Sequence, residues 1–203
     1  MKANVGMQYP VAALITAYTP GTTPTYGTGF KVSEARGANI SWDRGGGEFY
    51  GDDVLLDTDD GVRSGSIEFE TAGIRDAIRA DMLGETVAST DEYTLTDAEA
   101  PFVGFGFIRV MRDNATTDGS VEERYEAWWL WRVKFSLESE ETRTKEGGGI
   151  EWRVPTLNGR ITGVKQTAEA TLDFKTHKTF TSFSAAKSWL DAKANITSSA
   201  VTE

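Results

Sequence analysis

Residues 41–70 read SWDRGGGEFYGDDVLLDTDDGVRSGSIEFE and gather six Asp around a glycine triplet and the apolar trio Val54, Leu55 and Leu56. Carboxylates at this density suit three kinds of chemistry: calcium ligation, acid catalysis, or a solvated loop that docks through its apolar centre. A helix-loop-helix calcium site needs D-x-[DN]-x-[DN]-G and a later Glu. In DTDDG, residues 57–61, the fifth position is Gly61 and no helical pattern flanks the stretch, so turn chemistry accounts for these residues better than a metal. A glycosidase-type pair of carboxylates needs one member in an apolar pocket that raises its pKa. The acids of this chain are spread over loops and strand faces instead. The single histidine, His177 in KTHKTF, has no G-x-S-x-G nucleophile signature near it. The GTG at residues 27–29 and the two GGG runs lack the strand-to-helix setting of a phosphate cradle. The residues therefore predict no enzyme, no bound metal and no cofactor.

Composition narrows the classes further. The chain has 203 residues, 39% apolar and 11% aromatic, with a formal net charge of -10. That is enough chain for one domain with a sizeable core, here read as a single domain over residues 1–203. A strongly acidic surface does not grip phosphates, because that binding relies on Lys and Arg. With no cysteine, disulfides and thiolate metal sites are excluded. The N-terminal stretch MKANVGMQYPVAALITAY carries one Lys and a short apolar run without a cleavage site, so no signal peptide is expected. The Asn-x-Ser/Thr triplets at Asn39, Asn114 and Asn195 are read as chance, and no apolar run approaches the ~20 residues of a membrane span.

The elements that must position these residues read as mostly β. Strands are expected over residues 11–18, 30–42, 64–71, 102–111, 125–137, 150–154 and 160–174, with a long loop over residues 43–63. In residues 64–71, Ile67 and Phe69 alternate with Glu68 and Glu70. Residues 73–84 switch to helical spacing: Ile74, Ala77, Ile78 and Met82 share a face, and Gly84 is a fitting stop. In residues 160–174, Ala168, Ala170, Leu172 and Phe174 are assigned one face and Glu169, Thr171 and Asp173 the other. Ser184 is expected to cap a short last helix, with a frayed tail to residue 203. The strand at residues 125–137 is the most informative. Trp129, Trp131, Val133, Phe135 and Leu137 are assigned to one face, and Trp128, Leu130, Arg132 and Lys134 to the other. If the first face enters the core, Trp128 and Leu130 form an apolar strip that marks a partner surface or a sugar-binding platform, unless a second layer covers them.

The ordered set of segments resembles the major tail (tail tube) proteins of long-tailed, siphovirus-type bacteriophages, nearest to the group from phages of Gram-positive hosts. The resemblance runs through YPVAALIT, TYGTGFKVSEARGANISW, FYGDDVLLDTDDGVRSGSIEFE, GIRDAIRADMLG, PFVGFGFIRVMR and YEAWWLWRVKFSLESEETRTKEGGGIEWRVPTLNGRI, and covers roughly residues 8–175. The Trp-rich strand and the last helix depart from the family pattern. The resemblance implies an antiparallel β-sandwich or half-barrel flanked by a helix, an architecture shared with the type VI secretion tube. It implies six copies in a ring and rings stacked into a tube, made in the host cytoplasm and resident in the virion tail. Double-stranded DNA would pass through the channel without specific binding. The tail terminator and the distal tail and tape measure proteins would be further partners, and no membrane would be bound. In that setting the loop of residues 43–63 reaches a neighbouring ring. Gly45, Gly46 and Gly47 release it from the sheet, Val54, Leu55 and Leu56 bury against the neighbour, and Asp57 and the other Asp keep free subunits soluble. Glu68, Glu70, Glu169 and Asp173 are the candidate lumen carboxylates, and Trp128 and Leu130 the candidate subunit contact. A carbohydrate-binding host-recognition module using exposed Trp is the alternative.

Overall fold

A computed structural model describes residues 2–51, 54–90, 92–113, 122–137 and 155–197. In chain order its elements are β1 (Lys2–Ala17), β2 (Thr25–Tyr26), β3 (Phe30–Lys31), β4 (Ala35–Arg44), β5 (Gly47–Gly51), β6 (Val54–Asp59), β7 (Val62–Thr71), α1 (Asp76–Leu83), β8 (Thr86–Ser89), β9 (Glu92–Thr94), β10 (Phe102–Asp113), β11 (Glu122–Ser136), β12 (Thr156–Ile161), β13 (Lys175–Phe180) and α2 (Phe183–Ala194). The fold is mainly β. The largest sheet runs β2-β1-β10-β11-β12-β7-β4, with β3 also on β1 and β13 also on β11. Its pairings are antiparallel. The sheet curls back on itself. β3 pairs with Val11 and Ala12 of β1, the Val32 N–H donates to the Pro10 carbonyl at 2.9 Å, and three residues later the chain starts β4 on the far side, against β7.

Two cores follow from this curl. Inside it, Ala12, Ile67, Phe69, Val103, Phe105, Leu130, Val133, Phe135, Leu157 and Ile161 pack with Ile78, Met82 and Leu83 of α1. On the outer face of β1, β10 and β11, Val11, Ala13, Ile108, Ala127, Trp129 and Trp131 pack with Ala186, Leu190 and Ala194 of α2. Each large aliphatic side chain so buried contributes ~1.5–3 kcal/mol. Both helices are locally specified. α1 has Asp76 in its first turn, where the helix dipole favours a carboxylate, and ends on left-handed Gly84 (φ 76°), whose N–H donates to the Ala80 carbonyl. In α2 the Ser182 hydroxyl accepts from the Ala185 N–H, Lys187 pairs with Asp191 one turn on, and Asn195 closes the helix at φ 53°.

Several expectations are corrected. The face assignment along β11 fails beyond Trp131. Val103 pairs with Val133 but Phe105 with Leu130, so one extra residue of β11 lies between them. This bulge reverses the alternation. Trp129 and Trp131 therefore point to the α2 side, whereas Val133 and Phe135 join Leu130 inside the curl. Leu130 is fully buried and is not part of an exposed strip. Residues 160–174 are not one strand. β12 ends at Ile161, the Ala170 N–H donates back to the Thr167 carbonyl, and Val164 bridges Asp173, so the chain reverses where continuous alternation was expected. The expected strand over residues 30–42 is split into β3 and β4, and Ser182, not Ser184, caps α2. The loop over residues 43–63 is largely paired as β5–β6. The expected strand at residues 150–154 lies outside the described residues.

Candidate functional site

Residues 41–51 and 54–70 form an arm. β4 and β7 pair from Ala35↔Thr71 to Arg44↔Val62. The ladder then continues: the Gly45 N–H donates to the Gly61 carbonyl at 2.7 Å, and β5 and β6 pair from Gly47↔Asp59 to Gly51↔Val54. It is one antiparallel ribbon, interrupted by a bulge between Asp43 and Arg44. A Cβ on Gly45 would lie 2.7 Å from Arg63 Nε, the far end of a flexible side chain that would have to move aside. Gly46 has open space around it and Gly47 is the first paired residue of β5. Beyond the crossing, the main packing partner of β5 is β6, and of β6, β5. Val54, Leu55, Leu56 and Asp57 lie on β6.

At its base the ribbon carries the second feature, a polar sheet face. Ile67 and Phe69 point inward and are buried, while Ser66, Glu68 and Glu70 point outward and are exposed. Cross-strand register extends this face into rows. Ser41, Ser66, Arg160 and Lys134 form one row across β4, β7, β12 and β11, and Asn39, Glu68, Asn158 and Ser136 form the next. An open groove of about 1160 Å³ lies over these rows, lined also by Asp43, Ser64 and Phe102. Its charge is mixed. Lys134 is paired with Glu99 at 2.7 Å, which holds the Glu99 carboxyl below its usual range.

Glu169 and Asp173 do not extend this face. Glu169 is exposed near the chain reversal. Asp173 accepts from Gln166 Nε2 at 2.7 Å and lines a smaller groove with Trp42, Arg44 and Val62.

Trp128 is half-buried at the end of the curl, in a cluster that sequence reasoning missed. Lys175 Nζ lies 3.5 Å and the Arg109 guanidinium 4.7 Å from its ring centroid, and Phe107 stacks on it at 5.7 Å. Its indole N–H donates to Glu126 at 2.7 Å. Glu126 also lies 3.6 Å from Arg109 and 3.7 Å from His177. Burial lowers the Lys175 pKa, partly offset by the Glu126 charge. The signal lay in two strands far apart in sequence, whose pairing Trp128↔His177 no local pattern announces.

Among the described residues no three His, Asp or Glu cluster as a metal site, and no helix is long and apolar enough to cross a membrane. No protein-family model matches the chain, and no curated protein matches it.

Proposed function

We propose that this chain is a structural tail-tube subunit: six copies close a ring, and rings stack into a tube that conducts double-stranded DNA from capsid to host. The observation that carries the reading is the ribbon arm. A pair of strands continues the β4–β7 ladder through Gly45 and Gly61 and packs chiefly on itself. A two-stranded ribbon is marginal in water alone, so it gains from a surface supplied by another molecule. Val54, Leu55 and Leu56 give it apolar side chains to bury there, and the flanking Asp keep it soluble until then.

The polar face at the base of the arm is the channel side in this reading. Glu68 and Glu70, repeated by sixfold symmetry at each height, repel phosphate and let DNA slide. The mechanism is passive and needs no catalytic residue. The tail terminator at one end and the distal tail and tape measure proteins at the other are the partners this role calls for, in the virion tail. The sugar-platform alternative loses its main support, because the Trp128 ring already carries Lys175, Arg109 and Phe107. Negative-stain and cryo-electron microscopy of concentrated protein test the proposal. Stacked six-membered rings are expected, and a monomer at every concentration that is retained on glycan columns refutes it.

A further inference from the structure

We infer that the β8–β9 ribbon of one copy adds to the free edge of β13 on a second copy, in a head-to-tail contact between chains. Two of the longest strands, β7 (Val62–Thr71) and β11 (Glu122–Ser136), are not edges. The structure puts both inside the sheet: β7 lies between β12 and β4, and β11 between β10 on one side and β12 and β13 on the other. β13 (Lys175–Phe180) is one of the open edges: its one strand partner among the described residues is β11, as β7 is the one partner of β4 at the end of the sheet. Unpaired N–H and C=O groups along such an edge are a template for another strand.

The complementary element is β8–β9. These strands pair with each other and with no other strand among the described residues. Val87 on β8 and Leu95, the residue after β9, present apolar side chains to solvent, 58% and 77% exposed. Charge selects the partner. Residues 85–99 hold five acidic residues and no basic one, whereas β13 holds Lys175, His177 and Lys178 and no acidic one. Glu85 is taken by Arg79 and Glu99 by Lys134, each at 2.7 Å, which leaves Glu92 and Asp97 exposed. Lys178 is exposed and Phe180 half-buried beside it. Lysines on an edge discourage indiscriminate pairing. Opposite a ribbon carrying Glu92 and Asp97 they favour this one partner.

The contact joins different chains. The root of the ribbon is tied to Lys134, and Lys178 faces Ala127, seven residues away along β11. That is ~23 Å at ~3.3 Å per residue. Two complementary patches well apart on one chain make a heterologous contact, which closes into a ring or runs on as a filament. The inference rests on the ring reading and names the surfaces that close the ring.

The absence of cysteine supplies the experiment. Leu95→Cys and Lys178→Cys are made in separate chains; both sites are exposed, so folding is undisturbed. A bis-maleimide added to the mixture is expected to give a covalent dimer, and added to either variant alone to give little. Glu92→Lys with Asp97→Lys is expected to weaken self-association by about tenfold or more in sedimentation, and Lys178→Glu in the same chain to restore part of it, Lys175 being left in place because it packs on Trp128. Wild-type rings with no mixed cross-link and no response to charge reversal overturn this contact and leave the ring reading standing. A chain that stays monomeric at every concentration overturns both.

Discussion

Gly104 is the residue whose replacement best tests the two-core account of β11. It lies opposite the bulge, and a Cβ built on it falls 2.3 Å from Trp129 Cζ2 and 2.6 Å from Tyr26 Cε1. Both rings are held. Trp129 is fully buried and meets Tyr26 edge-on at 5.3 Å, and the Tyr26 hydroxyl donates to the Trp131 carbonyl at 2.7 Å. Neither ring can swing aside without giving up contacts in the α2 core. Overpacking a core by one methyl costs ~1–3 kcal/mol, and this site sits at the upper end because the obstruction is two rigid rings. Gly104→Ala is therefore expected to lower stability by about 3 kcal/mol. In a chain of this size that is about 6–12 °C in Tm, read by calorimetry or by urea unfolding.

The decisive comparison uses Trp129→Phe, which removes Cζ2 and Cη2, two of the three atoms nearest the added methyl. It also deletes an indole N–H that is buried without a partner of ordinary geometry, which offsets part of the lost packing. In the Trp129→Phe background, Gly104→Ala is expected to cost about 1–2 kcal/mol less than in the wild type, a coupling a double-mutant cycle resolves. A neutral Gly104→Ala, or an equal cost in both backgrounds, refutes the placement of Trp129 over β10 and with it the bulge.

On the proposed tail-tube reading, replacing Val54, Leu55 and Leu56 with Ser is expected to leave the domain folded by circular dichroism and to abolish tubes in electron micrographs, since burial at the proposed stacking contact would contribute ~1.5–3 kcal/mol per side chain. On the same reading, Glu68→Lys with Glu70→Lys is expected to leave assembly intact and to slow DNA ejection from particles, most at low salt, where phosphate binding is least screened. Burial raises the Tyr26 pKa above its usual 10.0. Tyr26 therefore contributes stability that is fully present below pH 10 and lost as pH rises beyond it, an alkaline loss that Tyr26→Phe should flatten in urea midpoints measured from pH 8 to 11. Lys175 and Lys193, whose pKa values burial lowers, act in the opposite sense, so the comparison with the variant isolates the Tyr26 share.

What the sequence disclosed follows from the range of the forces involved. The alternation of Ile67 and Phe69 with Glu68 and Glu70, the helical spacing of Ile78 and Met82 and the stop at Gly84 are local, and the structure places all of them as read. The bulge in β11 is not local. It depends on Gly104 on another strand making room for Trp129, and nothing within residues 125–137 signals it. The same holds for the arm, where Asp and Gly look like an irregular loop until strands on both sides extend the ladder, and for Trp128, whose neighbours Arg109, Lys175 and His177 come from other strands. The β8–β9 ribbon went unread because Thr86–Ser89 and Glu92–Thr94 are too short and too polar to show a period.

Because β11 serves two cores, the order in which the ribosome delivers the chain has consequences. Every strand around the inner core is complete once Ile161 has emerged, but Trp129 and Trp131 wait for Ala186, Leu190 and Ala194, on the last described element. During that interval the nascent chain shows two indoles that the folded one hides, and a chain halted before Phe183 keeps them exposed indefinitely. Such a truncation is expected to bind an apolar dye and to aggregate; a soluble, dye-silent fragment would show that the inner core does not need its cover. The closing helix thus leaves the outer core uncovered until Ala194 has been made.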